Sequence, residues 1–296
     1  MVDIILKNET VEIGISLHGA ELKSLKKRAT KTEYLWCADP EYWNRTSPVL
    51  FPFVGGVKNG IYRHEEKEYN MRQHGFARDR EFELLSQTED TVWFVLEDDS
   101  KSREIYPFAF RLEIGYQLLT NGVKVMWKVI NPAETTLYFS IGAHPAFNCP
   151  LYAGENQTDY QIALKRKDGS YLSKYRNTII GQDGTTTGEH EEVPLENGIC
   201  AITETLFDHD AKVIEHEQVQ QVALLDRAGK EYVVVTFDAP LVGIWSPPKK
   251  QAPFVCIEPW YGRCDCRTFE GELKDRKWEQ KLLPGEIFEA EYKITI

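Results

Sequence analysis

Three short segments of the chain hold an ionisable side chain among glycine, proline and aromatic residues. His74 lies in the segment RQHGFAR, His144 in GAHPAF and Glu258 in CIEPWYG. Such neighbours are typical of a side chain that is held by a rigid scaffold, not of a solvated run of charges. Two histidines and a glutamate make an acid/base set, which predicts proton-transfer chemistry.

Each of these three residues also has a purely structural interpretation. A histidine beside apolar residues is more often a hydrogen-bonded structural residue than a catalyst. Glu258 is the stronger indication, because a carboxylate within the segment VCIEPW is costly to bury without a reason. The proline after His144 stops a strand and favours extended backbone at the histidine, so we expect His144 at a strand end.

The composition is that of an ordinary globular protein and restricts the expected partners. Of the 296 residues, 42% are hydrophobic and 27% are charged, and the formal net charge is −11. This charge repels the phosphates of nucleic acids and of anionic membranes. The N-terminal residues lack a signal-peptide pattern, and no apolar run approaches membrane-spanning length. We expect a cytoplasmic protein with no nucleic-acid or membrane partner.

Six cysteines are scattered along the chain. Without a secretion signal, reduced thiols are the expected state. Only Cys264 and Cys266 are close together, and a Cys-x-Cys pair without a second pair at zinc-finger spacing is weak evidence for a metal. We expect surface-loop thiols there and no metal site.

Many short segments alternate between apolar and polar residues, which predicts β-strands. The segments are 11–17, 91–96, 108–118, 123–129, 137–141, 221–225, 232–237, 241–245, 254–258 and 288–296. Asn121-Gly122 predicts a hairpin with a primed turn between two of them. More than ten strands with almost no helix predict an all-β fold, a large antiparallel β-sandwich that forms a single domain over residues 1–296.

Three other segments carry separate expectations. The best helical candidate lies within 199–217, although the three residues from Asp208 to Asp210 break its pattern. The polar segment 185–192 is predicted to be an exposed loop without chemistry. The aromatic residues between 34 and 43 suit either the core or a platform for a sugar, and the core is the favoured interpretation.

Six segments, taken in chain order, resemble the galactose mutarotase (aldose 1-epimerase) superfamily, and most closely its LacX-like branch. They are Arg45 with SPVLFPF at 47–53, HGFAR at 74–78, GAHPAF at 142–147, DHDA at 208–211, GIWS at 243–246 and CIEPWYG at 256–262. Their spread means that the resemblance covers nearly the whole chain. It implies a β-supersandwich that interconverts the α and β anomers of an aldose and requires no cofactor.

The resemblance also implies roles for two of the residues. Glu258 matches the general base of the family, and His144 matches its general acid. Opening a hemiacetal removes the proton of the anomeric hydroxyl while the ring oxygen gains one, so a carboxylate and an imidazolium are needed together. We expect the two groups on opposite sides of the sugar ring.

Substrate-binding positions follow from the same resemblance. His74 and Arg45 match positions that hold or polarise the ring oxygen. One aspartate of the pair Asp208 and Asp210 matches an anchor for a sugar hydroxyl, and Asp210 is favoured. The expected partner is therefore a small-molecule sugar or sugar phosphate.

The segment around His74 departs from the better-known galactose mutarotases and is nearer to hexose-6-phosphate 1-epimerases. If the ligand is phosphorylated, Arg78 or Arg45 are the expected phosphate contacts, because a guanidinium matches phosphate geometry. The equally weighted alternative is that Arg78 pairs with a nearby carboxylate such as Asp79 or Glu81.

Two other function classes are compatible with these residues. The first is a sugar-binding or sugar-sensing protein without turnover. The second is a glycoside hydrolase, which needs two carboxylates about 5 to 10 Å apart, and Glu258 with Asp210 could supply them. The sequence ranks the epimerase first, and it predicts no oligomeric state.

Overall fold

The computed structural model describes residues 2–296, which form twenty-four β-strands, one short α-helix (Ser100–Ile105) and four 3₁₀ turns (Lys58–Gly60, Ala77–Asp79, Gln157–Asp159, Leu273–Asp275). The strands are β1 (Ile4–Lys7), β2 (Val11–Ile15), β3 (Leu22–Lys27), β4 (Val49–Leu50), β5 (Ile61–His64), β6 (Lys67–Asn70), β7 (Glu83–Gln87), β8 (Thr91–Glu97), β9 (Arg111–Leu119), β10 (Gly122–Ile130), β11 (Leu137–Phe139), β12 (Ile141–Ala143), β13 (Ala146–Asn148), β14 (Gln161–Lys165), β15 (Lys174–Ile180), β16 (Thr186–Pro194), β17 (Ile199–Ala201), β18 (Lys212–Glu215), β19 (Gln221–Leu225), β20 (Glu231–Phe237), β21 (Leu241–Trp245), β22 (Phe254–Tyr261), β23 (Gln280–Leu282) and β24 (Ile287–Thr295). In this part of the chain, no helix has the length and apolar character needed to cross a membrane.

Two large sheets contain most of the strands. One has nine strands in the order β17-β14-β19-β20-β24-β10-β9-β8-β7. The other has eight: β16-β15-β18-β21-β22-β12-β4, with β13 also paired to β22. Every ladder within these two sheets is antiparallel. The predicted all-β antiparallel fold is therefore confirmed.

The main hydrophobic core includes side chains from both large sheets. Its buried members extend along the chain from Leu6 to Ile294. Across the two sheets, the ring of Tyr261 on β22 contacts Trp127 on β10, with ring centroids 6.4 Å apart, and Phe288 on β24, with centroids 5.1 Å apart. Removal of this apolar surface from water holds the sheets together as a sandwich.

Strand β22 is buried on both of its faces, which explains its nearly continuous apolar sequence. Successive side chains of a strand point to opposite faces. Val255 and Ile257 therefore join the core between the sheets, whereas Glu258 and Trp260 lie on the outer face of the eight-stranded sheet. One strand thus stabilises the sandwich with one face and presents a carboxylate with the other.

Two glycines make room for Trp260 on that outer face. In the strand register, Gly142 of β12 lies opposite Trp260, and Gly243 of β21 lies opposite Glu258. A Cβ atom would lie 2.6 Å from the indole at Gly142 and 2.5 Å from it at Gly243. Any side chain at either position would force the indole to move.

The predicted helix within 199–217 is wrong. This segment instead contains β17, a series of turns and β18. Asp210 has a φ of +74°, which is incompatible with a right-handed helix, and β18 pairs with both β15 and β21. The apolar residues that suggested a helix belong to short strands whose partners are distant in sequence.

The predicted exposed loop at 185–192 is also wrong, because most of it belongs to β16. Strand β16 pairs with β15 and forms one edge of the eight-stranded sheet. Most of its side chains are exposed. The polar sequence therefore reflects an edge strand, a position where charged residues discourage further strand pairing.

The predicted hairpin of β9 and β10 is confirmed, but its turn type is wrong. Thr120 and Asn121 connect the paired residues Leu119 and Gly122. Within the described backbone, neither connecting residue has the positive φ that a primed turn requires. Gly122 has a different role, because a Cβ there would lie 1.9 Å from the carbonyl oxygen of Ile294 on β24.

Replacement of Gly243 by alanine is expected to lower the free energy of unfolding by about 1–3 kcal/mol, the usual cost of overpacking. The reason is the 2.5 Å approach of the new Cβ to the indole of Trp260. Urea unfolding of both proteins measures the difference. Gly56→Ala is the matched control, because the nearest atom to its Cβ would be 3.8 Å away. Equal stability of the two variants would contradict the packing argument.

Candidate active site

A cavity of about 340 Å³ opens on the outer face of the eight-stranded sheet. Residues of β18, β21 and β22 line it, together with loops that follow β4 and β12. All six predicted site residues are among its lining residues, namely Arg45, His74, Arg78, His144, Asp210 and Glu258. The fold therefore brings together side chains from the first and the last quarter of the chain.

Glu258 and His144 are in contact at the inner wall of this cavity. Nε2 of His144 lies 3.3 Å from Oε2 of Glu258, and the two residues are only 7% and 1% exposed. Strand β12 ends at Ala143, so His144 lies at a strand end as predicted, and its N–H donates to the carbonyl of Pro48. The expectation of groups on opposite sides of a ring is wrong for this structure, since the two are neighbours on one wall.

Burial shifts the pKa of both groups toward the neutral form. It raises the pKa of the Glu258 carboxyl well above its usual range, and the nearby Asp210 charge raises it further. Burial lowers the pKa of His144 to about 3, with a further contribution from the positive charge of Arg78. Between these two pKa values the pair holds one proton, on the carboxyl group.

Aromatic rings fix the orientation of His144. Its imidazole stacks on Trp43 with ring centroids 4.6 Å apart, and the edge of Trp245 lies 5.4 Å away. The aromatic residues at 34–43 were expected either in the core or at a sugar platform, and the structure places them in both environments. Trp36 is buried in a small core cluster, whereas Trp43 lines the cavity.

His74 is held by its own backbone and ring. Its N–H donates to the carbonyl of Gly55 (2.8 Å), and the N–H of Gly55 donates to Nδ1 of the imidazole (3.1 Å). Since Nδ1 accepts, the proton of the neutral ring is on Nε2. Burial lowers the pKa of His74 well below its usual range, and the neighbouring His144 and Arg78 act in the same direction. His74 is therefore a neutral hydrogen-bond donor.

The glycine after His74 explains the shape of this loop. Gly75 has a φ of +68°, and a Cβ there would lie 2.3 Å from the carbonyl oxygen of Phe51. The same oxygen accepts hydrogen bonds from the N–H groups of Phe76 and Ala77. Only glycine permits this close approach, which places the histidine over the end of β4.

Arg45 and Arg78 both line the cavity. Nη2 of Arg45 is 2.7 Å from Oδ1 of Asp79, and Nη2 of Arg78 donates to the carbonyl of Gln73 (2.8 Å). The alternative pairing of Arg78 with Asp79 or Glu81 is not found, because Glu81 contacts a histidine of another loop. Burial and the charge of Arg45 lower the pKa of Arg78 to about 10. Its Nε is buried without a hydrogen-bond partner in residues 2–296.

The aspartate at position 210 is the one that reaches the cavity. Asp210 lines it, whereas Asp208 is not among the lining residues. Oδ1 of Asp210 accepts a hydrogen bond from the N–H of Ala211 (2.8 Å), which leaves the other carboxylate oxygen for a ligand. The favoured aspartate of the sequence interpretation is therefore the one in position to bind.

Arg263 is a buried cavity residue that the sequence did not suggest. Its Nη1 donates to Oγ1 of Thr186 (3.0 Å) and to the carbonyl of Cys264 (2.8 Å), and its Nε lies 3.0 Å from Oε1 of Glu215. No hydrogen bond from Nη2 to another described residue is present, so this N–H group can bind a ligand. The sequence feature that could have indicated Arg263 is its position directly after the apolar segment that contains Glu258.

Glu215 forms a buried ion pair with Arg263 and accepts hydrogen bonds from three other side chains. Its carboxylate accepts hydrogen bonds from Thr178 (2.8 Å), Lys277 (2.7 Å) and Trp278 (2.9 Å). Burial alone would raise the pKa of Glu215, but these hydrogen bonds and the charge of Arg263 outweigh it and lower the pKa to about 2. The ionised carboxylate is therefore stable in the interior.

The cysteine predictions are confirmed only in part. All six thiols are free, as expected. Cys266 is partly exposed, but Cys264 is buried and lines the cavity, so the prediction of two surface thiols is wrong. The cause is close packing, since a Cβ at Gly55 would lie 2.6 Å from the Cys264 side chain.

Comparison with known proteins identifies relatives over the full length of the chain. A sequence family described as aldose 1-epimerase matches residues 3–295. The chain is 33% identical to "Protein LacX, plasmid" of Lactococcus lactis subsp. lactis, over 98% of each sequence. Among solved structures, it is similar to a galactose mutarotase related enzyme from Lactobacillus acidophilus (35% identity, TM-score 0.92, 99% of this chain and 96% of that one). It is also similar to a galactose mutarotase-like protein from Lactobacillus casei ATCC 334 (29% identity, TM-score 0.91, 99% of both chains).

Substitution of Glu215 by glutamine is expected to lower the free energy of unfolding at pH 7 by about 3 kcal/mol, because it leaves the buried guanidinium of Arg263 without its counter-charge. The pKa of Glu215 is about 2 in the folded protein and 4.5 in the reference state. Its stabilising contribution is therefore complete above pH 4.5 and disappears as the pH falls toward 2. Urea unfolding at pH 7, 4 and 3 measures this.

The matched control for this experiment is Glu192→Gln. Glu192 pairs with Lys174 at 2.7 Å, but both side chains are more than half exposed. An exposed pair contributes less than about 1 kcal/mol. Equal losses of stability in the two variants, or a loss in Glu215→Gln that is the same at every pH, would contradict the role of Glu215.

Proposed function

The chain belongs to the aldose 1-epimerase family, and we propose that it interconverts the α and β anomers of a hexose or hexose phosphate by opening and closing the sugar ring. The observation that carries this proposal is the 3.3 Å contact of His144 with Glu258 at the wall of the cavity. The cavity volume of about 340 Å³ is typical of a small-molecule site.

Ring opening requires one group to accept a proton and another to donate one. Glu258 accepts the proton of the anomeric hydroxyl, and His144 donates a proton to the ring oxygen. Both oxygens are bonded to C1, so an acid and a base that are neighbours on one wall can serve them together. Rotation about the C1–C2 bond and closure with the proton roles reversed give the other anomer. Each positioned group contributes about 10²- to 10⁴-fold to the rate.

Without substrate, Glu258 and His144 together hold one proton, which is the number that this reaction needs. A carboxylate with an imidazolium holds one proton, as does a carboxylic acid with a neutral imidazole. The pKa shifts favour the second form before substrate binds. The two forms differ only in the position of one proton within the pair, so the reactive form arises without exchange with solvent.

Three lining residues are assigned to binding of the sugar. The neutral ring of His74 donates a hydrogen bond from Nε2 to the ring oxygen or a neighbouring hydroxyl. Arg45 polarises the same region with its charge, and its side chain is held by Asp79. Asp210 accepts a hydrogen bond from a sugar hydroxyl through the oxygen that Ala211 does not occupy.

A phosphate group would be bound by the two guanidinium groups that line the cavity. Nε of Arg78 is buried and has no hydrogen-bond partner within residues 2–296. The positive charge of Arg45 lowers the pKa of Arg78. A dianionic phosphate would relieve this repulsion and satisfy the free donor.

The whole chain forms the proposed enzyme, and the reaction requires no cofactor. Side chains from Leu6 to Ile294 share the main core, which supports a single domain. Proton transfer by Glu258 and His144 requires no cofactor. The expected partner is the sugar alone.

Substitution of Glu258 by glutamine is expected to reduce the rate of anomer exchange by at least about 10²-fold, because an amide keeps the shape of the carboxyl but cannot accept the proton. Sugar affinity should change only a few-fold. The α/β exchange of galactose, glucose and their 6-phosphates is measured by NMR, and binding is measured by calorimetry. His144→Ala tests the acid in parallel.

Asp208→Asn is the control for this experiment, since Asp208 is near Asp210 in sequence but is not among the residues that line the cavity. It should retain the rate of the wild type. A near-normal rate in Glu258→Gln would sink the assignment of the base. Binding of sugar by the wild type without acceleration would favour the sugar-binding alternative, and release of nitrophenol from a nitrophenyl glycoside would favour hydrolysis.

The exchange rate is expected to depend on pH with a bell-shaped profile. The acidic limb arises where the pair gains a second proton, near the His144 pKa of about 3, because no base then remains. The alkaline limb arises where the pair loses its last proton, at the raised pKa of Glu258, because no acid then remains. NMR exchange rates from pH 3 to 10, with folding checked by circular dichroism, measure the profile. A rate independent of pH would contradict the pair.

A further inference from the structure

A third potential metal ligand lies next to the Glu258 and His144 pair. Cys256 precedes Glu258 by two positions on β22, so both side chains point to the same face of the sheet. One ligand atom each from His144, Cys256 and Glu258 lie within 4.8 Å of one another, and all three residues are buried. We propose that these side chains form a binding site for one Zn²⁺ ion and that the bound ion inhibits the enzyme.

The chemistry of the three ligands fits zinc. Imidazole nitrogen, thiolate sulfur and carboxylate oxygen are the ligands that proteins use for this ion, and three of them leave the fourth tetrahedral position free. His144 and Glu258 line the cavity, so that position is open to water or a ligand. Neither Nδ1 of His144 nor Oε2 of Glu258 has a hydrogen-bond partner in the described part of the chain. A metal therefore displaces no hydrogen bond from this oxygen, and its binding releases the proton that the pair holds.

The distances require little adjustment. Nitrogen and oxygen ligands at about 2.0–2.1 Å from a tetrahedral ion lie about 3.3–3.4 Å apart, and Nε2 of His144 is 3.3 Å from Oε2 of Glu258. A sulfur ligand at about 2.3 Å lies about 3.6 Å from either of them. One ligand atom of each of the three residues lies within 4.8 Å of the other two, so their separations exceed those of a tetrahedral site by at most about 1.5 Å.

The charges around the site are mixed. A thiolate and a carboxylate neutralise the ion, and the nearby Asp210 adds a further negative charge. Arg45 and Arg78 act on His144 with the opposite sign. The site therefore needs both anionic ligands, and loss of the thiol should weaken binding strongly.

Inhibition is the expected consequence of this geometry. A metal bound to Nε2 and Oε2 occupies the atoms that would donate and accept the protons. This inhibitory effect rests on the proposed function, whereas the metal site itself does not. Cys256 is not among the residues that line the cavity, so its part in metal binding can be tested apart from contacts with the sugar.

Titration with Co²⁺ tests the site without any assay of activity. A Co²⁺–thiolate bond has a charge-transfer band in the near ultraviolet, and tetrahedral Co²⁺ has intense visible bands. We expect both in the wild type, loss of the charge-transfer band in Cys256→Ser, and its retention in Cys149→Ser, where a buried cysteine that does not line the cavity is changed. If Cys256→Ser does not fold, Glu258→Gln should reduce Co²⁺ affinity at least about tenfold.

Inhibition by Zn²⁺ is then measured by NMR anomer exchange, with each protein compared with its own rate in EDTA. We expect inhibition of the wild type that EDTA reverses, and a half-inhibiting Zn²⁺ concentration at least about tenfold higher in Cys256→Ser. Absence of the cobalt bands, or a charge-transfer band unchanged by Cys256→Ser, would overturn the metal site. Cobalt bands without zinc inhibition would overturn the inhibitory role. A wild type without epimerase activity would refute the proposed function and leave the cobalt result to decide the site.

Discussion

A carboxylate buried without full hydrogen bonding is the constraint on which this site depends. Glu258 is 1% exposed, and its Oε2 has no hydrogen-bond partner in the described part of the chain. Placing such a group in the interior without a full set of hydrogen bonds costs on the order of several kcal/mol. Strand β22 can hold it because the strand is paired on both sides and its opposite face is packed into the main core. The sandwich therefore stabilises a group that the local environment disfavours.

The pKa values of two buried glutamates are shifted in opposite directions, and the number of hydrogen-bond donors around each carboxyl explains the difference. Glu215 accepts hydrogen bonds from three side chains and contacts Arg263, so its pKa is lowered to about 2. Burial raises the pKa of Glu258, and the charge of Asp210 raises it further. Burial alone raises the pKa in both cases. The glutamate with several donors stays ionised and holds a cavity-lining arginine, whereas the glutamate without them is shifted toward its protonated form.

Much of the fold and the site could be predicted from the sequence, because alternation of apolar residues and the neighbours of His144 and Glu258 are local features. What could not be predicted depends on pairing between distant strands. The segment 199–217 has the apolar residues of a helix, but β18 lies between two strands that hold it extended. Strand β16 looked like a loop because an edge strand is polar on both faces. Arg263 was missed because its contact with Glu215 joins residues far apart in the chain.

The cavity residues are far apart in the sequence, so the cavity forms only when distant segments pair during folding. Residues from Trp43 to Cys264 line the cavity. Strands β4, β12 and β22, which position several of them, pair across large sequence separations. Such contacts form later than local hairpins such as that of β9 and β10, because closing a long loop costs more entropy. Recovery of function after denaturation therefore reports the assembly of the complete sheet, whereas recovery of β-structure alone does not.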